Sequence, residues 1–267
     1  MRIGVLANPE LKELKDIGRE VLDAIGDAAD IQIDESIAEV LGGTGVPFEK
    51  MDADVLVVIG GDGTMLYSLQ HTDAVVVGIN AGKLGFLTEI MLSEIKDKLG
   101  RVVSGDYFVE ERTKLKIEHN GKRLPDCMNE AVLHTYHVSK MREFEILVDG
   151  KPAMNIRADG IIISTATGST SYAMSVGGPI IDPRMDAFVI APIAPFNLGI
   201  RPLVIPAACR IDIHQLKERK CVLVLDGQTE YDIEPDDKIV MGRSEKVARF
   251  VRFDEEFYKK AWEKLRM

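Results

Sequence analysis

The sequence predicts two domains, an N-terminal α/β domain with a parallel sheet and an all-β, sandwich-like second domain. In the first part of the chain, apolar strand patterns alternate with amphipathic helical patterns, an order typical of a Rossmann-like parallel sheet. From residue 107 to 253, short alternating segments are separated by turn pairs such as Asn120-Gly121 and Asp149-Gly150, which favour hairpins. The chain then returns to helical spacing.

We place the α/β domain at residues 1–104 plus 254–267 and the β domain at 105–253. The C-terminal helix is predicted from Phe257, Ala261, Trp262 and Leu265, which recur at helical spacing. Because nothing similar surrounds it, we expect this helix to return to the first domain, which leaves the β domain inserted.

The strands and helices of the first domain are predicted from the spacing of its apolar residues. Strands are predicted near residues 3–7, 31–33, 55–59 and 75–79, and helices at 11–25, up to 41, from 65 onward and at 92–99. In the second domain the clearest strand segments are 114–118, 144–148, 211–213, 222–225 and 239–241. Alternating strands and helices predict ligands at the carboxyl ends of the parallel strands.

Composition limits the possible partners. The formal net charge is −10, with 46% hydrophobic and 28% charged residues, which disfavours a nucleic-acid or anionic-membrane surface. Cys127, Cys209 and Cys221 show no paired spacing, so we expect a reduced compartment. No apolar run approaches the roughly 18 residues of a membrane span. We therefore expect a cytoplasmic protein.

A glycine-rich loop follows the buried strand at residues 55–59. Gly60, Gly61 and Gly63 allow a sharp turn and bring backbone N–H groups close to an anion, which is typical of phosphate binding. Asp62 stands among them, and a carboxylate beside phosphates is repulsive unless a metal or a transferable proton intervenes. Asp62 is therefore a chemical candidate, although a glycine turn without any nucleotide is the alternative.

The segment from Asn80 to Thr88 follows the next strand at the same sheet edge. Phe86 lies in it between apolar neighbours and is expected either to meet a flat ligand or to fill the core beneath the loop.

Two stretches of the β region do not resemble ordinary strands. Asn129 and Glu130 interrupt an apolar strand, and together they fit the vicinal hydroxyls of a ribose or, alternatively, a solvated sheet edge. Residues 157–179 form a buried strand followed by a run of hydroxyls and glycines around Tyr172. Such hydroxyls can read a base edge while Tyr172 supplies a flat face, and a Ser/Thr-rich surface loop is the alternative.

These motifs, in this order, resemble the NAD kinase family along nearly the whole chain. The set comprises Gly60 to Thr64, Gly82 to Leu87, the Asn129-Glu130 pair, the Asp159 to Pro179 block, Arg201-Pro202 with Val204 and Pro206, and Asp226-Gly227-Gln228. Diacylglycerol and sphingosine kinases have a similar glycine loop but lack the Asn129-Glu130 pair and the Asp159 to Pro179 block. Departures are mild: Ala158 stands for a usual Gly, Ala166 for a usual Pro, and Ser171 for a frequent Ala.

The resemblance implies phosphoryl transfer to the 2′-hydroxyl of the adenosine ribose of NAD, which gives NADP. It assigns Asp62 to catalysis and Gly60, Gly61, Gly63 and Thr64 to the donor phosphates. The residues implied to bind NAD are Gly61, Gly63, Phe86, Asn129, Glu130, Arg157, Asp159, Thr170, Tyr172, Ser175 and Gln228. Asp159 would bind the nicotinamide amide, and Thr170 and Ser175 the adenine side.

The implied co-substrate is ATP, another nucleoside triphosphate or polyphosphate, with Mg²⁺ or another divalent cation. A homodimer or homotetramer is also implied. Alternatives that stay open are a lipid kinase and a dinucleotide-binding regulator without turnover. Asp62 is either a base or a metal ligand, and no metal ligand set is assigned. The cation that balances the donor phosphates is Lys83, Arg142, Arg157 or Arg184.

Overall fold

The computed structural model describes residues 1–82, 85–137, 140–216, 220–254 and 257–265. The chain divides into two compact units, Met1–Glu111 with Ala248–Met267, and Arg112–Val247. The two-domain α/β plus β fold class is confirmed.

The first unit contains a parallel sheet with helices. Its elements are β1 (Arg2–Ala7), α1 (Leu14–Ile25), β2 (Asp30–Ile33), α2 (Glu35–Leu41), β3 (Val55–Gly60), α3 (Asp62–His71), β4 (Val75–Asn80), β5 (Ile90–Met91), α4 (Ile95–Ser104) and the start of β6 (Phe108–His119). The strands run in the order β2-β1-β3-β4 and are parallel. Every residue of β3 is buried, as predicted for a central strand.

The helices of this unit bury the apolar faces that the sequence predicted. Leu14, Val21 and Ile25 of α1 share one core with Leu99 and Val102 of α4. The helix after β3 begins at Asp62 and not near Met65. A carboxylate in the first turn of a helix is favoured by the helix dipole, which explains why the polar loop residues join the helix.

The described part of the second unit is all-β apart from one short α-helix and the 3-10 turn before it, Thr167–Thr170. Its elements are β7 (Lys122–Arg123), β8 (Glu130–Thr135), β9 (Arg142–Val148), β10 (Lys151–Ala158), β11 (Gly160–Thr165), α5 (Tyr172–Ser175), β12 (Ala187–Ile193), β13 (Leu203–Pro206), β14 (Ile211–Gln215), β15 (Cys221–Leu225), β16 (Thr229–Ile233) and part of β17 (Ile239–Arg252). One antiparallel sheet has the order β13-β12-β11-β8-β15-β16.

A second antiparallel layer of this unit runs β10-β9-β14-β17. Side chains of both layers, including Leu133, Ile163, Phe144 and Ile213, form one hydrophobic core, as in a sandwich. Both predicted hairpins are present. Asn120 and Gly121 have φ of 50° and 78°, and Asp149 and Gly150 have 50° and 73°, the left-handed pairs that two-residue turns require.

The chain passes between the units inside two strands. The first unit ends at Glu111 within β6 and resumes at Ala248 within β17, whereas the sequence placed these boundaries at 104/105 and 253/254.

The C-terminal helix α6 (Phe257–Leu265) belongs to the first unit, as predicted. Lys260 Nζ donates to the Thr88 carbonyl at 3.1 Å and contacts Glu89 at 2.7 Å. Across the part of the chain that the structure describes, we find no helix with the length and hydropathy of a membrane span.

Candidate functional site

The glycine loop of the first unit joins β3 directly to α3. Gly60 has no space for a Cβ, which would overlap the side chain of Thr64. Gly61 is the N-cap residue of α3, and a Cβ on Gly61 or Gly63 would meet nothing within 4 Å. The backbone N–H groups at this helix start are therefore open to an approaching anion.

Asp62 is held in place by the loop that follows β4. Its Oδ2 accepts the backbone N–H of Phe86 at 2.8 Å, and its Oδ1 accepts that of Leu87 at 3.1 Å. A Cβ on Gly85 would overlap Oδ1 of Asp62, so only glycine lets this loop come so close. The expectation that the loops after these two parallel strands meet at one sheet edge is confirmed.

Phe86 and its neighbour Leu87 differ in burial. Leu87 is 2% exposed and fills the core beneath the loop, whereas Phe86 is half-buried. The core-filling alternative that we gave for Phe86 therefore describes Leu87 better, and the ring of Phe86 keeps part of its surface accessible.

Asn129 and Glu130 lie at the start of β8 in the second unit. Because β8 runs between β11 and β15, both residues are buried, with 9% and 6% of their surface exposed. The solvated-edge alternative is therefore wrong. Buried polar side chains in the middle of a sheet cost free energy unless they are satisfied or have a function.

Glu130 is only half satisfied. Its Oε1 accepts the Ser171 hydroxyl at 2.9 Å, while its buried Oε2 has no hydrogen-bond partner among the described residues. Burial raises the pKa of Glu130 to about 7, and the Ser171 hydroxyl opposes this shift. The group can therefore gain or lose a proton near neutrality, and Oε2 offers an acceptor to a ligand hydroxyl.

Asp226 fixes the backbone of this pair. Its carboxylate accepts three successive N–H groups, from Met128 at 2.7 Å, Asn129 at 2.7 Å and Glu130 at 2.9 Å. In return, the Asp226 N–H donates to the Glu130 carbonyl at 2.9 Å. Asp226 is 5% exposed and has a φ of 49°.

The end of β11 fixes the same backbone from its other side. Thr165 Oγ1 donates to the Met128 carbonyl at 2.7 Å, and the Thr165 N–H donates to the Asn129 carbonyl at 2.9 Å. A Cβ on Gly168 would overlap that same carbonyl. The position of Asn129 and Glu130 is thus determined before any ligand binds, which favours recognition.

The hydroxyl-rich block after β11 has two kinds of side chain. Ser164, Thr165 and Ser169 are buried and donate to backbone carbonyls of their own unit, so they stabilise the loop and do not read a base. Thr170 is half-buried, Ser175 is exposed and Tyr172 is 40% exposed. These three of the predicted residues remain accessible.

Three other predicted residues of the second unit, Asp159, Arg157 and Gln228, have different contacts. Asp159 is half-buried and uses its backbone groups to bond Thr135 and Ile193. Arg157 is exposed, with its guanidinium 5.2 Å from the centre of the Phe196 ring. Gln228 is exposed in the β15–β16 turn. No hydrogen bond within the described ranges joins these three to Asn129 or Glu130.

The residues proposed to balance the charge of the donor phosphates lie in different environments. Lys83 lies outside the described residues. Arg184 is paired with Asp182 at 2.6 Å, and Arg142 is buried with 2% of its surface exposed. Among the residues that the structure describes, no three His, Cys, Asp or Glu side chains come together as a metal site.

Sequence reasoning assigned no role to Gly85, Ser171 or Asp226. Asp226-Gly227 follows a predicted strand and therefore resembles an ordinary turn. One signal could have indicated the role of Asp226. The predicted strand ends at Leu225, so the Asp226 carboxylate is expected at a strand end, which is also where the Asn129-Glu130 pair was expected. Gly85 stood inside a quoted motif, and its spacing from Gly82 indicated a loop but not which glycine is essential.

Comparison with known proteins identifies both units of the chain. Residues 40–107 match the ATP-NAD kinase N-terminal domain, and residues 128–253 match the ATP-NAD kinase C-terminal domain. The chain is 38% identical over 266 residues to the NAD kinase of Thermoplasma volcanium, which covers 99% of this chain and 98% of that relative. It is 41% identical over 273 residues to that of Methanothermobacter thermautotrophicus, covering 99% and 96%.

Two solved structures are similar along the whole chain. Yeast NADH kinase complexed with NADH has a TM-score of 0.92 at 23% identity, over 99% of this chain and 87% of that one, which is a likeness of fold. An NAD kinase from Archaeoglobus fulgidus in complex with ATP has a TM-score of 0.81 at 27% identity, over 100% and 99%. Because both ATP-NAD kinase domains match in order and the relatives align over 99% of the chain, this chain belongs to the NAD kinase family.

Proposed function

We propose that this chain phosphorylates the 2′-hydroxyl of the adenosine ribose of NAD to give NADP, with ATP as the phosphoryl donor. The observation that carries the proposal is the carboxylate of Asp62, fixed by the N–H groups of Phe86 and Leu87 at a helix start between two unobstructed glycines. Membership in the NAD kinase family and the names of the relatives support the same activity.

Asp62 acts on the accepting hydroxyl. The ribose oxygen forms a bond to the γ-phosphorus of ATP, the bond from that phosphorus to the bridging oxygen breaks, and ADP leaves with the electron pair. The hydroxyl proton passes to the Asp62 carboxylate late in the reaction, because the loose transition state demands little early deprotonation. The two N–H groups orient the carboxylate, and acid–base help of this kind contributes about 10²- to 10⁴-fold.

The second unit holds the dinucleotide. Glu130 Oε2 accepts a ribose hydroxyl, and Asn129 pairs with the same sugar; both are supported by burial and by the orphaned oxygen. The proposed contacts that remain are Phe86, Arg157, Asp159, Thr170, Tyr172, Ser175 and Gln228. Thr170 and Ser175 serve the adenine side, Asp159 the nicotinamide amide, and Tyr172 an exposed ring face.

Mg²⁺ is expected to bind together with ATP, as part of the nucleotide substrate. Phosphate oxygens and water would supply most of its coordination, as Mg²⁺ prefers. Bound in this way, the ion would neutralise charge on the phosphoryl group that is transferred. A competing assignment gives Asp62 one coordination position on that ion.

The cellular setting is proposed on the chain's chemistry. Cys127, Cys209 and Cys221 are all free thiols, which suits a reducing cytoplasm. The charge of −10 disfavours nucleic-acid and membrane partners. The family resemblance supports a homodimer or homotetramer.

The deciding experiment incubates the full chain with NAD, ATP and MgCl₂ and measures NADP with an NADP-specific dehydrogenase. Parallel reactions replace NAD by NADH, diacylglycerol or sphingosine, and ATP by polyphosphate. NADP formation is expected, and phosphorylation of lipid alone, or binding without turnover, would contradict the proposal.

Asp62→Asn tests the base role. We expect kcat to fall by about 10² or more while the dissociation constant for NAD changes little. The matched control is Asp97→Asn, which removes an exposed aspartate from the first turn of α4. Unchanged turnover in Asp62→Asn would rule out the base assignment.

A further inference from the structure

Arg142 is a buried cation without a counter-charge. Its side chain is 2% exposed. Its Nη1 donates to the backbone carbonyls of Lys140 at 2.7 Å and Met141 at 3.4 Å, while its buried Nε has no partner. Among the described residues no carboxylate forms an ion pair with it. A buried arginine is ordinarily paired, because an uncompensated charge out of water costs several kcal/mol.

Arg142 lines a concavity of about 470 Å³ in the second unit, together with Tyr136, His137, Lys140 and Lys220. We call this concavity the Arg142 pocket. Its described lining contains no acidic side chain, although the chain as a whole carries a net charge of −10. A local cluster of cationic side chains is therefore unusual here and is not a general property of the surface.

Neighbouring groups neutralise Lys220 but, as far as the described ranges extend, leave the other cations of the pocket unpaired. Two carboxylates lie beside it: Asp232 on β16 accepts the Tyr136 hydroxyl, and Glu234, which directly follows β16, pairs with Lys220. Cys221 also lies near Arg142, but burial raises the pKa of its thiol to about 11, so it is uncharged at neutral pH. Lys140 and Arg142 are left with their charges unopposed in the described structure.

The pocket is distinct from the Asn129-Glu130 cluster. In the β8–β15 ladder, Cys221 pairs with Thr135 and Leu225 pairs with Ala131. Arg142, beside Cys221, thus lies near one end of this strand pair, while Glu130 and Asp226 lie at the other. Five strand residues span roughly 17 Å, which is too far for one small anion to touch both.

We propose that the Arg142 pocket binds a diphosphate-type anion. Guanidinium groups offer forked donors that match phosphate oxygens, and Lys140 adds a mobile point charge, while Lys220 is held by Glu234. The orphaned Nε of Arg142 supplies a donor that a phosphate oxygen satisfies. The volume exceeds what a single phosphate fills, and at least two unopposed positive charges suit an anion with more than one negative charge.

The test uses the full chain and sodium pyrophosphate without added metal, titrated by isothermal calorimetry. Lys140→Ala is expected to weaken pyrophosphate binding about tenfold, the effect of losing one charge-assisted bond. Lys151→Ala is the matched control, because it removes an exposed lysine at the opposite end of the β9–β10 hairpin from Arg142. This control is expected to bind like the wild type.

Thermal melting gives a second measurement. Pyrophosphate should raise the Tm of the wild type and of Lys151→Ala through binding to the folded state, and should raise it far less in the Lys140→Ala/Lys220→Ala double variant, which leaves Arg142 in place. Orthophosphate is expected to bind at least tenfold more weakly than pyrophosphate.

Three results would overturn the proposal. The first is no heat of pyrophosphate binding in the wild type at millimolar concentration. The second is equal loss in Lys140→Ala and Lys151→Ala, which indicates general charge attraction. The third is unchanged affinity in Lys140→Ala, which locates pyrophosphate elsewhere, for example on the glycine loop. None of these results depends on kinase activity, so the proposed function is judged separately.

Discussion

The carboxylate of Asp226 accepts the backbone N–H of Asn129 at 2.7 Å, although the two residues are 97 positions apart in the chain. With its bonds to Met128 and Glu130, it acts as a buried acceptor for three consecutive amides. The pair proposed to hold ribose is therefore positioned by a residue that makes none of the proposed ligand contacts itself.

Asp226→Asn tests this positioning role. Asparagine tolerates the left-handed φ of 49° but presents an amide NH₂ where the backbone N–H groups need an acceptor. We expect KM for NAD to rise by about tenfold or more, with a stability loss of roughly 1–3 kcal/mol, while kcat falls less. Steady-state kinetics and urea unfolding check this. Asp236→Asn, at an exposed site, is the control, and an unchanged KM in Asp226→Asn would contradict the role.

Gly85→Ala should disable the catalytic loop. The new Cβ would overlap Oδ1 of Asp62, so the carboxylate or the Phe86 and Leu87 amides must shift, and a displacement of this size costs about 10²-fold in rate. The measurement is kcat for NADP formation. Gly82→Ala is the matched control because its Cβ meets nothing within 4 Å. Similar activity in both variants would show that the contact does not matter.

Glu130→Gln should remove a pH dependence of stability. The folded-state pKa of Glu130 is raised by burial to about 7 from the ordinary 4.5, so the folded protein binds this proton more tightly than the unfolded chain. The stabilisation is complete below pH 4.5 and is lost as the pH rises through 7. Between these limits the wild type should lose on the order of 2–3 kcal/mol relative to Glu130→Gln.

Urea unfolding of both proteins at several pH values between 4.5 and 8 measures this difference. Parallel stability profiles would contradict the shifted pKa. Affinity for NAD provides an independent check: because an ionised Glu130 is the better acceptor for a ribose hydroxyl, wild-type affinity should increase from pH 6 to 8, and that of Glu130→Gln should stay nearly constant.

Glu89→Gln should loosen the C-terminal helix. The side chain of Glu89 is 5% exposed and pairs with Arg252 at 3.0 Å and Lys260 at 2.7 Å. Without that charge Lys260 loses its ionic partner and keeps the Thr88 carbonyl, while Arg252 keeps Glu110 at 2.8 Å. A loss of about 2–4 kcal/mol in the free energy of unfolding is expected. Asp254→Asn breaks the more exposed pair with Lys98 and should cost less than about 1 kcal/mol; equal losses would refute the prediction.

Local chemistry made much of the fold predictable. Asn120-Gly121 and Asp149-Gly150 determine their hairpins because both turn positions need a positive φ. The meeting of Asp62 with the Phe86 loop was also predictable, since the loops after adjacent parallel strands share one edge.

The features that could not be predicted depend on packing between residues that are far apart in the sequence. Asn129 and Glu130 resembled a solvated edge because the sequence of one strand does not reveal its neighbours in an antiparallel sheet. In the structure β8 lies between β11 and β15 and is therefore buried. Asp226 resembled a turn residue because its partners lie far away in the chain. Ser164 and Ser169 resembled ligand groups because a hydroxyl that satisfies a buried carbonyl has the same sequence signature as one that faces a base.

Strands β6 and β17 each run from one compact unit into the other, and this has a consequence for protein engineering. Neither unit is joined to the other by a loop at which a graft can be made, so chimaeras with relatives must be spliced within a strand. A splice there has to preserve the alternation of inward and outward side chains on both sides of the join, since a slip of one residue would turn every later side chain to the wrong face.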